Sequence, residues 1–299
     1  MDRDSQSSMG RDSMSTPRIG SMIWEGNYSV QGDTDFRYGK RLKYFEYNFW
    51  APWDEKIVVF SDIAIPNAGK PKFAKVPYRV AWLMESPAIF ATWGHHMGAL
   101  NWLLAHLDLF SAVATCDDSL IEKYPTKMKF VPFGGVIVSP EATKIYPKTK
   151  LCSMTAGWLF PPRDQIYNTY KDTLVDCLGK ACGKPYIRIE DGFKDYMYHI
   201  SVSSSCQNRF FSSNLTDPMA CGTVPIWWGC SRIDEFFDMD GIITFKTMEE
   251  LDVIMKKIGP EDYQRRLPAI QNNLQLVEKY RTPDNMLWEN VLSELHGRI

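Results

Sequence analysis

The sequence predicts an α/β protein made of two Rossmann-like domains, and three observations support that prediction. Apolar runs of strand length alternate with segments of helix length, as in parallel βαβ units. The alternation stops in a proline-containing loop at 140–150 and then starts again. The chain has 299 residues, which is enough for two domains of ordinary size. We therefore expect domains over 22–145 and 146–299 that face each other across a cleft.

The first domain is predicted from alternating strands and helices that follow a polar leader. Residues 1–21 contain few apolar side chains and no period, and Gly20-Ser21 before Met22 resembles a cloning scar, so we expect an expression leader outside the fold. The predicted strands are 56–63, 78–84, 111–116 and 128–133, and the predicted helices are 97–107 and 118–123.

The second domain repeats the pattern with more helix. A helix is predicted over 163–182, because apolar residues recur there in four-residue steps and Gly183 can end it. The other predicted elements are strands at 148–156, 184–189, 196–203, 223–228 and 241–245, and helices at 213–221, 247–257, 259–280 and 283–296.

The stretch FSSNLTDPMACGTVPIWWG (211–229) indicates a ligand site. Small polar residues precede a short helix, Gly222 can end it, and an apolar strand follows. The helix follows the strand at 196–203, so its N-terminus lies at a carboxyl strand end, where open α/β sheets bind ligands. Arg163 begins another helix in the same position and adds a guanidinium. Together they predict a diphosphate site; the alternative is two ordinary helix starts and a surface arginine.

Composition excludes several functional classes. The net charge of −2 provides no basic footprint for nucleic acid. No run reaches the roughly 18 apolar residues of a membrane span. Seven cysteines without metal-ligand spacing are typical of reduced thiols in a cytoplasmic protein.

Four segments, taken together, resemble the family-10 glycosyltransferases, the α-1,3-fucosyltransferase group. They are RVAWLMESPAIF (79–90), 108–135, KTKLCSMTAGWLFPPRDQIYNTY (148–170) and 198–229. The resemblance covers roughly 78–245. It implies the GT-B fold, a nucleotide-sugar donor bound by the second domain, and an oligosaccharide or glycoprotein acceptor bound by the first.

Two departures from that family concern the donor sugar. The family has Phe-Glu-Asn-Ser where this chain has 202–205 (VSSS), and Glu-Lys-Leu/Ile where it has 213–215 (SNL). The family's Glu and Lys contact GDP-fucose, so the small residues favour a smaller or different sugar. The chain also resembles the xylosyltransferases of large algal viruses, which implies transfer from UDP-xylose to a glycan such as fucose on a viral N-glycan. A GDP-fucose-dependent enzyme and a non-catalytic glycan- or nucleotide-binding module remain alternatives.

The chemistry of an inverting transfer assigns roles to particular residues. Glu85 follows the strand at 78–84 and is the expected base; the alternative is a solvated loop carboxylate. His95 and His96 are candidates for the acceptor site; the alternative is an ordinary surface or core pair. Donor and diphosphate contacts are expected at Arg163, Ser203, Phe210, Ser212, Ser213 and Asn214, and a core role is the alternative for Phe210. Asp238 and Asp240 are interpreted as a turn pair, and we predict no essential metal and no cofactor.

Overall fold

The computed structural model describes residues 16–22, 42–207 and 209–299, which form two α/β domains around parallel sheets. The strands of the first sheet are β1 (Arg18–Met22), β2 (Glu46–Asn48), β3 (Ile57–Ser61), β4 (Tyr78–Trp82), β5 (Ala112–Thr115) and β6 (Met128–Phe130). Their spatial order is β2-β1-β3-β4-β5-β6, and every neighbouring pair is parallel. The α-helices of this domain are α1 (Pro87–Thr92), α2 (Gly94–Ala105) and α3 (Asp118–Lys123).

The second sheet has five parallel strands in the order β11-β10-β9-β7-β8. They are β7 (Lys150–Thr155), β8 (Val175–Leu178), β9 (Tyr196–Val202), β10 (Val224–Trp228) and β11 (Ile243–Thr244). The helices are α4 (Arg163–Tyr170), α5 (Ser213–Ala220), α6 (Met248–Met255), α7 (Pro260–Lys279), α8 (Pro283–Leu287) and α9 (Ser293–His296), with a π-helical turn at Trp288–Leu292 between the last two.

Burial explains why the apolar runs form strands. All five residues of β3, IVVFS, are buried, as expected for a central parallel strand covered on both faces. Segment 211–229 folds as predicted: α5 ends before Gly222, which has φ +67°, and β10 follows. The start of α5 lies at the carboxyl end of β9, where Asn214 contacts Val202.

The predicted leader is corrected by β1. Ile19, Gly20 and Ser21 are buried, and β1 pairs with both β2 and β3 inside the first sheet. A Cβ on Gly20 would meet the carbonyl oxygen of Pro52 at 2.4 Å, so this glycine fits a close approach of two backbones. Residues 18–21 therefore belong to the fold; residues 1–15 lie outside the described part of the chain.

Two predicted elements of the second domain are also corrected. The helix expected over 163–182 ends at Tyr170, and β8 occupies Val175–Leu178 as an edge strand. Residues 184–188 form no strand, and a 3₁₀ turn follows at Ile189–Gly192. Leu174, which the helical pattern placed on the apolar face, is 68% exposed.

The C-terminal helices pack against the first domain, although the sequence assigned them to the second. Trp288 stacks on Phe45 with ring centroids 5.5 Å apart, and the Tyr47 hydroxyl donates to Asp284 at 3.0 Å. One buried apolar cluster accordingly contains residues of both domains. Within 16–22, 42–207 and 209–299, no helix is long and apolar enough to cross a membrane.

Candidate active site

Glu85 lies at a cavity beyond the carboxyl end of β4. The strand ends at Trp82, and Ser86 then caps α1 by accepting a hydrogen bond from the Ile89 N–H at 3.4 Å. Between them, Glu85 is part-buried and lines a cavity of about 240 Å³. This is the position at which parallel α/β sheets bind their ligands.

The cavity combines an apolar wall with polar groups from both domains. Phe90 and Leu100 of the first two helices form part of the apolar wall. Thr115 ends β5, Asp117 follows it, and both contribute polar atoms, while Gln207 reaches the cavity from the loop after β9. Sequence reasoning missed Gln207, because nothing local indicates that this loop returns to the first domain.

A second carboxylate, Asp62, supports the backbone at Glu85. Asp62 directly follows β3 and is 1% exposed. Its Oδ1 accepts hydrogen bonds from the N–H groups of Met84 at 2.8 Å and Glu85 at 3.2 Å. Burial and the charge of Glu85 raise the pKa of Asp62 to about 7, against the effect of the two N–H groups. The sequence analysis missed this residue, because the strand predicted over 56–63 included it, whereas β3 ends at Ser61.

The two predicted acceptor histidines have different environments. His96 is 3% exposed and packs edge-on against Phe90 and Trp93, with ring centroids at 5.5 and 6.0 Å. Burial lowers the pKa of His96, and the charge of Glu85 opposes that effect. His95 is exposed on the same helix. The structure therefore brings His96, rather than His95, into the electrostatic environment of Glu85.

Arg163 and α5 converge at the end of β9. The Nη2 group of Arg163 donates to the carbonyl oxygen of Val202 at 2.6 Å, and the Asn214 side chain donates to the same oxygen at 3.4 Å. The guanidinium also lies 4.8 Å from the centroid of Phe160. Arginine and the start of a helix both attract phosphate, so this arrangement suits an anionic group.

The start of α5 differs in detail from the expectation. Ser212 is the N-cap, but its side chain makes no capping hydrogen bond; its carbonyl oxygen accepts the N–H of Leu215 at 2.8 Å. Ser213 is part-buried and Asn214 is exposed at the first turn. Asn214 is thus the polar side chain of this turn that contacts β9.

Two predicted donor residues face the interior. Ser203 is fully buried, and its Oγ accepts the N–H of Ser205 at 3.3 Å. Phe210 is 3% exposed and stacks on Phe133 of the first domain, with centroids 6.0 Å apart and rings 9° from parallel. Phe210 thus has the core role that the sequence left open, and its contact with a nucleotide base stays a prediction.

The loop from β9 to α5 joins the two sides of the candidate site. Arg209 donates to Asp118 of α3, with an Nε–Oδ1 distance of 2.7 Å, and lies 3.7 Å above the centroid of Phe130. Gln207 of the same loop lines the Glu85 cavity, whereas Arg163 does not. The structure therefore connects Glu85 with the diphosphate elements through this loop, and not through one shared cavity lining.

Asp238 and Asp240 form the turn that the sequence predicted. Asp238 caps a 3₁₀ turn, its Oδ1 accepts the Asp240 N–H at 3.1 Å, and its Oδ2 accepts from Asn272. In the described part of the chain, no group of three or more His, Cys, Asp and Glu residues is arranged to hold a metal ion.

The chain matches no protein-family model and no curated protein, but its fold is similar to those of solved structures. One is an α1,3-fucosyltransferase solved with GDP-fucose, with a TM-score of 0.52 and 14% identity over 92% of this chain and 93% of that one. Another is Anabaena Alr3699/HepE, solved with UDP and glucose, with a TM-score of 0.56 and 13% identity over 83% of this chain and 79% of that one. The predicted GT-B architecture of two parallel-sheet domains is confirmed.

Proposed function

We propose that this protein is a glycosyltransferase that moves a sugar from a nucleotide-diphosphate donor to a hydroxyl group of a glycan. The observation that carries the proposal is the position of Glu85. Glu85 lines a cavity of the first domain, and Gln207 in the loop after β9 lines the same cavity. That loop leads to α5, which lies beside Arg163. Structural neighbours solved with GDP-fucose and with UDP support a nucleotide-sugar donor.

The proposed reaction inverts the anomeric carbon in one displacement. The acceptor oxygen forms a bond to that carbon while the bond from carbon to phosphate oxygen breaks. Glu85 accepts the hydroxyl proton, and the leaving diphosphate carries away the electron pair. Arg163 and the first N–H groups of α5 stabilise the charge that develops on the diphosphate. A guanidinium and a helix start can do this without a divalent cation, so no essential metal belongs to the proposal.

The finer proposal is transfer of xylose from UDP-xylose to fucose on a viral N-glycan in the cytoplasm. The small side chains at 202–205 and 213–215 support a sugar other than fucose, and the similarity to a structure holding UDP supports a uridine nucleotide. GDP-fucose is the second candidate donor. The similar α1,3-fucosyltransferase was solved with it, and the similarity extends over nearly the full length of both chains.

Thermal unfolding with UDP, GDP, UDP-xylose and GDP-fucose tests the donor. A ligand at a hundred times its Kd stabilises a protein by about 2.7 kcal/mol, which raises the melting temperature measurably. We expect a response to UDP and UDP-xylose. A response to GDP compounds alone would contradict the uridine donor, and no response to any of the four would contradict the nucleotide site.

Glu85→Gln tests the catalytic role. We expect the variant to bind donor with unchanged affinity and to lose at least about a hundredfold in kcat, the usual contribution of a general base. Glu55→Gln is a control, since Glu55 lies in the same domain and pairs with Arg18 and Asn48 instead of lining this cavity. Full activity of Glu85→Gln would place the base elsewhere. Donor binding by a wild-type protein that transfers no sugar to any glycan acceptor would indicate the non-catalytic module.

A further inference from the structure

Asp62 occupies an unusual backbone position for a buried acid. It has φ +47° and is the only residue other than glycine with a positive φ in the described ranges. The left-handed conformation is unfavourable for residues other than glycine, although Asp and Asn tolerate it better than most. A buried carboxylate in such a conformation persists where surrounding contacts hold it, and such positions cluster at functional sites.

The Asp62 carboxylate contacts the backbone at Glu85. β3 and β4 are adjacent and parallel, and their last paired residues are Ser61 and Trp82. Just beyond that pair, Oδ1 of Asp62 accepts the N–H groups of Met84 and Glu85. The carboxylate thereby fixes the peptide from which the Glu85 side chain projects into the cavity.

The two carboxylates also interact electrostatically. The charge of Glu85 is the second cause, after burial, of the raised pKa of Asp62. On α2, His96 interacts electrostatically with Glu85, and His95 with His96. The two carboxylates therefore belong to one electrostatic environment at the end of the adjacent strands β3 and β4.

We propose that Asp62 is a positioning residue for Glu85, which fixes the backbone of the catalytic carboxylate through its two hydrogen bonds. The inference rests on the proposed function, in which Glu85 takes the acceptor proton. The part that Asp62 supplies is an acceptor oxygen on a left-handed backbone. An asparagine could also supply it, and an alanine could not.

Two substitutions test the two hydrogen bonds. Asp62→Asn keeps an oxygen for both N–H groups and tolerates the left-handed backbone, but cannot ionise. Asp62→Ala leaves both buried N–H groups unpaired. Asp217→Asn is the matched control: Asp217 is equally buried, accepts two backbone N–H groups and has a pKa raised to about 7, but its contacts are Ile137 and Val138.

The measurements are kcat, donor affinity and thermal unfolding for each variant. Asp62→Ala should lose at least about tenfold in kcat with unchanged donor affinity, since a displaced catalytic group reacts slowly. Asp62→Asn should restore kcat to within about threefold of wild type, because it keeps the acceptor for both N–H groups. Asp217→Asn should keep the wild-type kcat.

The outcomes distinguish this inference from the proposed function. Full activity of Glu85→Gln would overturn the function itself. If Glu85→Gln is inactive while Asp62→Ala keeps the wild-type kcat, or while Asp62→Asn loses as much kcat as Asp62→Ala, the positioning role is wrong. An equal loss of kcat in Asp217→Asn would also overturn it, because the effect would then follow from stability. If Asp62→Ala does not fold, the kcat of Asp62→Gly decides, since glycine tolerates the left-handed backbone and also lacks the acceptor oxygen.

Discussion

Val202 shows how single residues assemble the diphosphate side of the site. Its carbonyl oxygen accepts hydrogen bonds from Arg163 and Asn214, which come from helices 50 positions apart in the chain. A guanidinium has five N–H donors, and bonds to the Val202 and Trp158 carbonyls use two of them. The other donors can approach phosphate oxygens in a fixed orientation.

Arg163→Ala should weaken nucleotide binding at least about tenfold, because a hydrogen bond to a charged group contributes roughly 1.5–3 kcal/mol. The affinity of Arg163→Lys should lie between those of wild type and Arg163→Ala, since lysine keeps the charge but lacks the planar guanidinium. Isothermal titration with the nucleotide that stabilises wild type measures both. Arg298→Ala, at an exposed pair with Glu294, is the control and should bind normally. Wild-type affinity of Arg163→Ala would exclude the guanidinium from the site.

Residues that follow strands could be identified from the sequence, and residues placed by distant contacts could not. Glu85 and Arg163 stand next to strand or helix boundaries that local patterns predict. Gln207 and the partners of Asp62 depend on loops meeting across the fold. The stacking of Phe210 could not be predicted for the same reason: its partner Phe133 lies 77 positions earlier in the chain.

At the scale of elements, local signals were sufficient where they were consistent. Segment 211–229 combines polar residues, a glycine stop and an apolar run, and the structure follows it. In 163–182 the four-residue spacing competed with an alternating pattern at Val175 and Cys177, which are the buried positions of β8. The segment forms a strand because it pairs with β7, and that pairing cannot be recognised from the periodicity of the segment itself.

Gly222→Ala should destabilise the protein. The residue has φ +67°, and an added Cβ would meet the Cα and Cγ1 of Ile145 at 2.9 Å. Strain and crowding together predict a loss of about 1–3 kcal/mol in the free energy of unfolding, measured by urea titration. Gly98→Ala is the control, because its Cβ would meet nothing within 4 Å in α2 and a gain of up to about 1 kcal/mol is expected. Equal stabilities of the two variants would contradict this account.

At the scale of the whole molecule, the domains are joined by buried polar contacts as well as by apolar packing. The Asp217 carboxylate accepts the N–H groups of Ile137 at 2.7 Å and Val138 at 3.0 Å. Arg209 pairs with Asp118 across the domains. These contacts, together with a cluster that contains side chains of both halves, hold the two walls of the candidate site in one arrangement.

Buried Asp217 should make stability depend on pH. Burial raises the pKa of Asp217 from about 3.9 in the unfolded chain to about 7, against its two N–H groups and Arg281. The folded protein then holds the proton of Asp217 more tightly than the unfolded chain does. The contribution of Asp217 to the free energy of unfolding is therefore complete below about pH 4 and is lost as pH rises through 7. The slope from one group is at most about 1.4 kcal/mol per pH unit.

Urea unfolding of wild type and Asp217→Asn between pH 4.5 and 7.5 isolates this contribution. Asparagine keeps an acceptor for both N–H groups but does not titrate. The advantage of wild type over the variant should therefore shrink as the pH rises. An advantage that stays constant or grows would show that the carboxyl group is not held protonated in the folded protein.

The return of the last helices to the first sheet has a consequence for synthesis. Trp288 stacks on Phe45, and Leu287 belongs to the apolar cluster that also contains Ile19 and Trp82. Translation delivers the strands of that sheet long before these two residues leave the ribosome. The first sheet must therefore wait, with an apolar surface uncovered, for helices that follow the second sheet in the chain.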